Sequence, residues 1–223
     1  MTPGDVPLGA VADYESNVFI NCPFDSQYLS LLCPLLFTVL YLGYKPRIAS
    51  ERSDSGENRL DKICQLIRES KYSIHDLSRL KAKRAREYYR LNMPFELGID
   101  YGSRQHGHEY LRCKKCLILE KKLHDFRRAL SDLGGVDIKN HDDEPIKVVR
   151  AVRDWFVETV GQLSADSPVI IWWKYTDFSK YLFDTKIEEG LAETDAWEDI
   201  QGMPVPEYIN RVNLWLSRPS DAN

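Results

Sequence analysis

Three short strand-like segments constrain this chain more than any other feature, because each stops at polar or turn-forming residues. Val18, Phe19 and Ile20 run into Asn21-Cys22-Pro23-Phe24-Asp25, and Pro23, which cannot donate to a sheet ladder, ends a buried strand. Residues 72–76 make another, ending in Asp76-Leu77-Ser78, and Leu117-Ile118-Leu119 centre one over residues 116–120. Arg47-Ile48-Ala49-Ser50 and Val136-Asp137-Ile138 are shorter runs that complete a set of five. Between them, Leu29, Leu32, Cys33, Leu36, Val39 and Leu40 line one helical face up to Gly43, with Pro34 expected to kink it. Leu60, Ile63, Cys64 and Ile67 repeat at i, i+3, i+4 and i+7, and Val148, Val149, Val152, Phe156 and Val160 follow Pro145 in the same way. Strands alternating with helices predict an α/β domain with a mainly parallel five-stranded sheet.

That domain is expected to span residues 1–162, with residues 163–223 as a C-terminal helical extension packed on it or on a partner copy. In the extension, Ser167 and Pro168 suit a helix start ahead of Ile171, Tyr175, Phe178 and Leu182, while a strand over residues 169–175 is the competing reading. Tyr208, Val212 and Trp215 mark a last helix after Pro204 and Pro206.

Composition narrows the function classes. The apolar stretch over residues 29–43, interrupted by Ser30, Pro34 and Thr38, is shorter than the roughly 20 residues a membrane span needs. A net charge of -4 argues against a duplex nucleic-acid binder. Five cysteines, Cys22, Cys33, Cys64, Cys113 and Cys116, are an odd number and suit a reducing compartment. Residues 1–16, with Asp5, Asp13 and Glu15, have no basic and apolar leader pattern, so the cytoplasm is the expected location. Charge is uneven: Arg79, Lys81, Lys83, Arg84, Arg86 and Arg90 cluster, and Asp184, Glu188, Glu189, Glu193, Asp195, Glu198 and Asp199 make an acidic run.

Ligands of open parallel sheets bind beyond the carboxyl ends of the strands, where strand order reverses. In a flavodoxin-like order the first and third strands flank that point. Here they end in Asn21-Cys22-Pro23-Phe24-Asp25 and Asp76-Leu77-Ser78, and Asn92-Met93-Pro94-Phe95-Glu96-Leu97-Gly98 begins a helix over the same edge. These three motifs, in this order, resemble the nucleoside 2-deoxyribosyltransferase and TIR-like superfamily over residues 18–160. The resemblance implies a flavodoxin-like sheet and a glutamate acting at a ribose C1′ to break an N-glycosidic bond. Glu96 matches that glutamate, Asp76 the acid after the third strand, and Asn21, Pro23 and Phe24 the turn lining the pocket.

Deoxyribosyltransferases usually carry a Gly-Thr step ahead of the glutamate, where this chain has Asn92-Met93-Pro94-Phe95. The resemblance therefore points to the TIR-like branch, whose active members hydrolyse or cyclise NAD and often serve bacterial anti-phage immunity. It implies NAD as substrate rather than cofactor, and assembly with copies of itself or with a partner defence protein. Some TIR-like domains are catalytically silent, so the alternative is a nucleotide-sensing or scaffold module.

The residue chemistry supports the same assignment. A carboxylate beneath a ribose can stabilise an oxocarbenium-like state or attack C1′, and a second such as Asp76 can hold a ribose hydroxyl or handle protons. Asp25, Ser78 and Asn92 are candidate substrate-binding residues, as is Arg59 at the end of Asp54-Ser55-Gly56-Glu57-Asn58-Arg59, a run that otherwise reads as a turn and helix cap. Against a functional Glu96, a helix with Met93 as N-cap and Pro94 as its first residue would put Glu96 third, where carboxylates cap backbone N–H groups. The basic stretch over residues 79–90 reads as a pyrophosphate-attracting lid or a solvated loop. His106, His108, Cys113 and Cys116 have zinc-ligand chemistry, but Cys116 opens a buried strand and the histidines stand only two apart, so no metal is expected. Cys22 reads as a pocket-lining thiol, and His75 as a strand residue facing away from Asp76.

Overall fold

The structure, a computed structural model, describes residues 13–80, 91–123, 125–126 and 129–218. Five parallel strands, β1 (Asn17–Asn21), β2 (Lys45–Ile48), β3 (Tyr72–Asp76), β4 (Lys115–Glu120) and β5 (Lys139–Asn140), stand in the order β2-β1-β3-β4-β5, the flavodoxin-like order. Helices α1 (Leu29–Tyr41), α2 (Arg59–Arg68), α3 (Asn92–His106) and α4 (Pro145–Trp155) flank the sheet, and α5 (Pro168–Glu188), α6 (Glu193–Gly202) and α7 (Val205–Leu216) follow. Both faces of β1 and β3 are covered, and every residue of these two strands is buried, the polar ones of β3 included. Val18 and Ile20 point into the core shared with α1 and α4, while Phe19 points to Ile63, Leu66 and Ile67 of α2.

The C-terminal helices belong to the first of these cores. Phe37 of α1 meets the rings of Tyr175, Phe178 and Trp215 at centroid separations of 5.6, 5.7 and 5.9 Å, and Phe178 also meets Tyr208. Among the described residues no helix is long and apolar enough to cross a membrane.

Several boundaries differ from expectation. The strand reading of residues 169–175 is overturned: these residues lie in α5, whose start is set by Pro168 and by Ser167 Oγ accepting from the Ile170 N–H at 3.4 Å. The fifth strand is Lys139–Asn140 rather than residues 136–138, because Val136 and Ile138 turn their side chains into the cluster around Leu97 and Ile118. β2 starts at Lys45 and stops at Ile48, where Ala49–Glu51 form a 3-10 turn with Glu51 Oε2 accepting from the Ile48 N–H. Helix α1 runs through Pro34 without interruption. Helix α3 begins at Asn92 with Leu91 as N-cap, not at Pro94, since the Phe95 N–H already bonds the Leu91 carbonyl and a proline N–H is dispensable anywhere in the first turn. Glu96 is thus the fifth helical residue.

Between β4 and β5 the described residues include the 3-10 turn Ser131–Leu133 and no α-helix.

Phe178→Ala removes a fully buried ring from the core joining sheet and extension. It is expected to cost about 3–5 kcal/mol. Urea unfolding should remain one transition, with tryptophan fluorescence and far-UV circular dichroism coinciding; separate transitions would show that the extension folds independently.

Candidate functional site

The carboxyl edge of the sheet gathers polar side chains at the point where strand order reverses between β1 and β3. Asp76, fully buried at the end of β3, accepts from the Tyr28 hydroxyl and, at 2.8 Å, from the Ser78 N–H. His141, just after β5, lies with Nε2 3.1 Å from Asp76 Oδ2, at ion-pair distance without hydrogen-bond alignment. Its Nδ1 accepts from the Asp143 N–H at 3.1 Å, which leaves the ring proton of a neutral imidazole on Nε2, facing Asp76. At the end of β4, Glu120 Oε2 accepts from the Phe126 N–H at 3.0 Å.

On the opposite face of β3, as strand alternation requires, His75 joins a second network. Asn21 Nδ2 lies 2.9 Å from both His75 Nδ1 and the Met93 carbonyl, so both amide hydrogens are committed and His75 Nδ1 must accept. His75 Nε2 therefore carries the proton and donates to Asp100 Oδ2 at 3.0 Å. Lys114 Nζ, 3.2 Å from Asp100 Oδ1, also donates to the carbonyls of Ile67, at 2.7 Å, and Ser70. Burial works against the Asp100 charge, but the His75 hydrogen bond and the Lys114 ammonium outweigh it and hold the carboxyl well below its usual range. Burial pulls the Lys114 ammonium down, with Asp100 opposing.

Glu96 differs from its neighbours. It is 7% exposed, and among the described residues its side chain accepts no hydrogen bond. Burial raises its carboxyl to about 7, with the Arg59 guanidinium as the opposing influence. Arg59 is exposed and lies 5.9 Å from the ring centroid of the half-exposed Phe24. Burial, followed by the charges of Asp76, Glu96 and Asp25, pushes the Cys22 thiol well up, which removes it as a nucleophile.

The expected site residues thus separate. Glu96, Arg59, Phe24 and the half-buried Asp25 share the edge; Pro23 is buried beneath it, Ser78 keeps a buried Oγ without a partner among the described residues, and Asn92 is exposed at the start of α3. Asn21 and Asp76 are committed to holding elements together. Residues 54–59 follow the turn-and-cap reading: Asp54 Oδ1 accepts from the Gly56 N–H at 2.8 Å, and Asn58 caps α2. Of the basic stretch, residues 81–90 lie outside the described residues.

The four-residue zinc set does not assemble; His106, His108 and Cys113 are exposed, and Cys116 faces a different group. Among the described residues, His75, Asp100 and Cys116 are the metal-ligand types that converge, within 4.8 Å. They do not fit an ion, because the His75 proton occupies the line to Asp100, the Lys114 ammonium supplies its countercharge, and burial holds the Cys116 thiol protonated, up to about 12.

Tyr28, Asp100, Lys114 and His141 were missed from sequence. Asp100 had a usable signal, since it stands four residues after Glu96 and so on the same helical side. His141 was hidden by placing the fifth strand three residues early.

A cavity of about 910 Å³ lies not at this edge but between α3 and residues 130–139. A groove of about 510 Å³ runs between α1 and α5–α7. Comparison with known protein families, with curated proteins and with solved structures finds no match.

Because the folded pKa of Glu96 exceeds its unfolded value, its contribution to stability is full below about 4.5 and is lost as pH rises through about 7. Glu96→Gln should therefore match the wild type in urea unfolding at pH 4.5 and exceed it at pH 8 by roughly 1–2 kcal/mol, after allowing for water at the edge. Lys114→Met, which strands the Asp100 charge, should cost about 3–5 kcal/mol by the same measurement at pH 7.

Proposed function

We propose that this protein cleaves the N-glycosidic bond of NAD or a related nucleotide, with Glu96 as the central carboxylate. The observation that carries the proposal is the contrast at the carboxyl edge: Asp76 is tied by hydrogen bonds, whereas Glu96, buried and with a carboxyl near 7, has none among the described residues. A carboxylate held this way stabilises positive charge better than it could in water, since no hydration shell has to be displaced.

In the proposed reaction the C1′–N bond breaks with its electron pair leaving on the base. Ionised Glu96 stabilises the oxocarbenium-like sugar, water adds to C1′, and the water proton passes to solvent or to Glu96. A pyridinium leaving group takes the electron pair and departs neutral, without needing a proton. That suits an edge where Asp76 accepts from the Tyr28 hydroxyl and the Ser78 N–H. The nicotinamide nucleotide is therefore favoured over a neutral purine nucleoside. Phe24 offers an aromatic face and Arg59 a cation for the sugar-phosphate part. A role in anti-phage defence, with assembly of copies or a partner, rests on the resemblance alone.

Purified protein at high concentration, incubated with NAD and a nucleotide panel, should release nicotinamide, measured by chromatography, and Glu96→Gln should lower the rate at least about 100-fold. Since Glu96 must be ionised, the wild-type rate should rise with pH around a midpoint near 7. Arg59→Gln removes the charge that opposes the upward shift, so its midpoint should move to higher pH. Absence of base release at any concentration would favour the non-catalytic nucleotide-sensing module.

A further inference from the structure

Helix α3 turns a second side away from Glu96. Pro94, Gly98, Tyr101 and Arg104 stand at i, i+4, i+7 and i+10, and all line the cavity of about 910 Å³ over β4. Residues 130, 133 and 135–138 of the β4–β5 connection, with Lys139 of β5, line its other side. Leu97, Ile118, Leu130, Leu133, Val136 and Ile138 give it apolar walls. Its volume lies at the upper end of the range for small-molecule pockets.

Two features make this more than imperfect packing. Gly98 sits in the middle of a helix, where glycine is among the least favourable residues, and a Cβ built there would meet nothing within 4 Å. A Cβ at this exposed position would enter open space where the helix lines the cavity. The charges on the wall are also incompletely matched. Lys114 is paired with Asp100, and Lys139 Nζ donates to Glu158 at 2.8 Å. Arg104, half-buried with its guanidinium 5.3 Å from the Tyr101 ring centroid, has no ion pair among the described residues. Asp137, the remaining charge, is exposed on the loop.

We propose that this cavity is a binding site, separate from the carboxyl edge, for an amphipathic monocarboxylate whose apolar body fills the space opened by Gly98 and whose carboxylate pairs with Arg104. Arginine suits the role because its planar donors match a carboxylate and its face can remain stacked on Tyr101. The proposal stands independently of any reaction at Glu96.

The test is calorimetric titration of the full chain with decanoate and, as the uncharged counterpart, 1-decanol. Decanoate should bind one per chain and at least tenfold more tightly than the alcohol. Arg104→Gln should weaken decanoate about tenfold and leave decanol unchanged. Gly98→Leu should abolish both while its melting temperature stays level or rises, which separates a filled cavity from an unfolded protein. Equal binding of acid and alcohol by the wild type would overturn the assignment to Arg104. Decanoate binding that survives in a folded Gly98→Leu variant, or no binding of either probe to the wild type, would overturn the site itself.

Discussion

The amide of Asn21 holds together the elements on which the candidate site depends. One hydrogen goes to His75 on the neighbouring strand and the other to the Met93 carbonyl in the first turn of α3. The end of β1, the end of β3 and the start of α3 are thereby set against one another at the reversal of strand order. Its interior position, 2% exposed, makes the arrangement stringent: an amide deprived of either acceptor would carry an unsatisfied donor in the core. The amide specifies the His75 tautomer, the tautomer aims a proton at Asp100, and Asp100 draws the Lys114 ammonium beneath α3.

Two carboxylates one helical turn apart consequently behave in opposite ways. Asp100 receives a histidine proton and an ammonium, and its charge is favoured despite burial. Glu96 faces the edge, where burial disfavours its charge and Arg59 only partly offsets the effect. Neither outcome is a property of the carboxyl group. Each reflects what the sheet places beside that position of α3, and the separation of roles between a structural acid and a chemically available one arises from that difference.

The alternation of short strand segments and helical spacing made the layered sheet legible, because strands buried on both faces carry apolar centres such as Val18-Phe19-Ile20 and Leu117-Ile118-Leu119. What was not legible depended on contacts distant in sequence. Val136 and Ile138 have the composition of a strand, yet they pack under α3, and the ladder is taken over by Lys139 and Asn140. Residues 169–175 are apolar enough for a strand, and the helix wins through the Ser167 cap, Pro168 and the aromatic contacts with Phe37. The start of α3 was misread because proline is favoured at the first helical position but tolerated through the first turn. That two-residue displacement removed the helix-capping explanation of Glu96, which would have held only three residues into the helix. At the site, residue types at the strand ends were readable, whereas the engagement of Asp76 by Tyr28, and its approach by His141, required the fold.

Helix α3 is the element on which these features converge, and its sequence records competing demands. Met93, Leu97 and Asp100 face the sheet, Glu96 faces the reversal point, and Gly98 and Tyr101 face the loop side. A helix that only had to cover a sheet would gain from alanine or leucine at Gly98, since helical propensity and apolar burial both favour them. Space does not exclude such a residue, because nothing lies within 4 Å of the added Cβ. Local stability is therefore not what places glycine there. The missing side chain leaves this position of α3 open where it lines the cavity whose wall ends at Arg104.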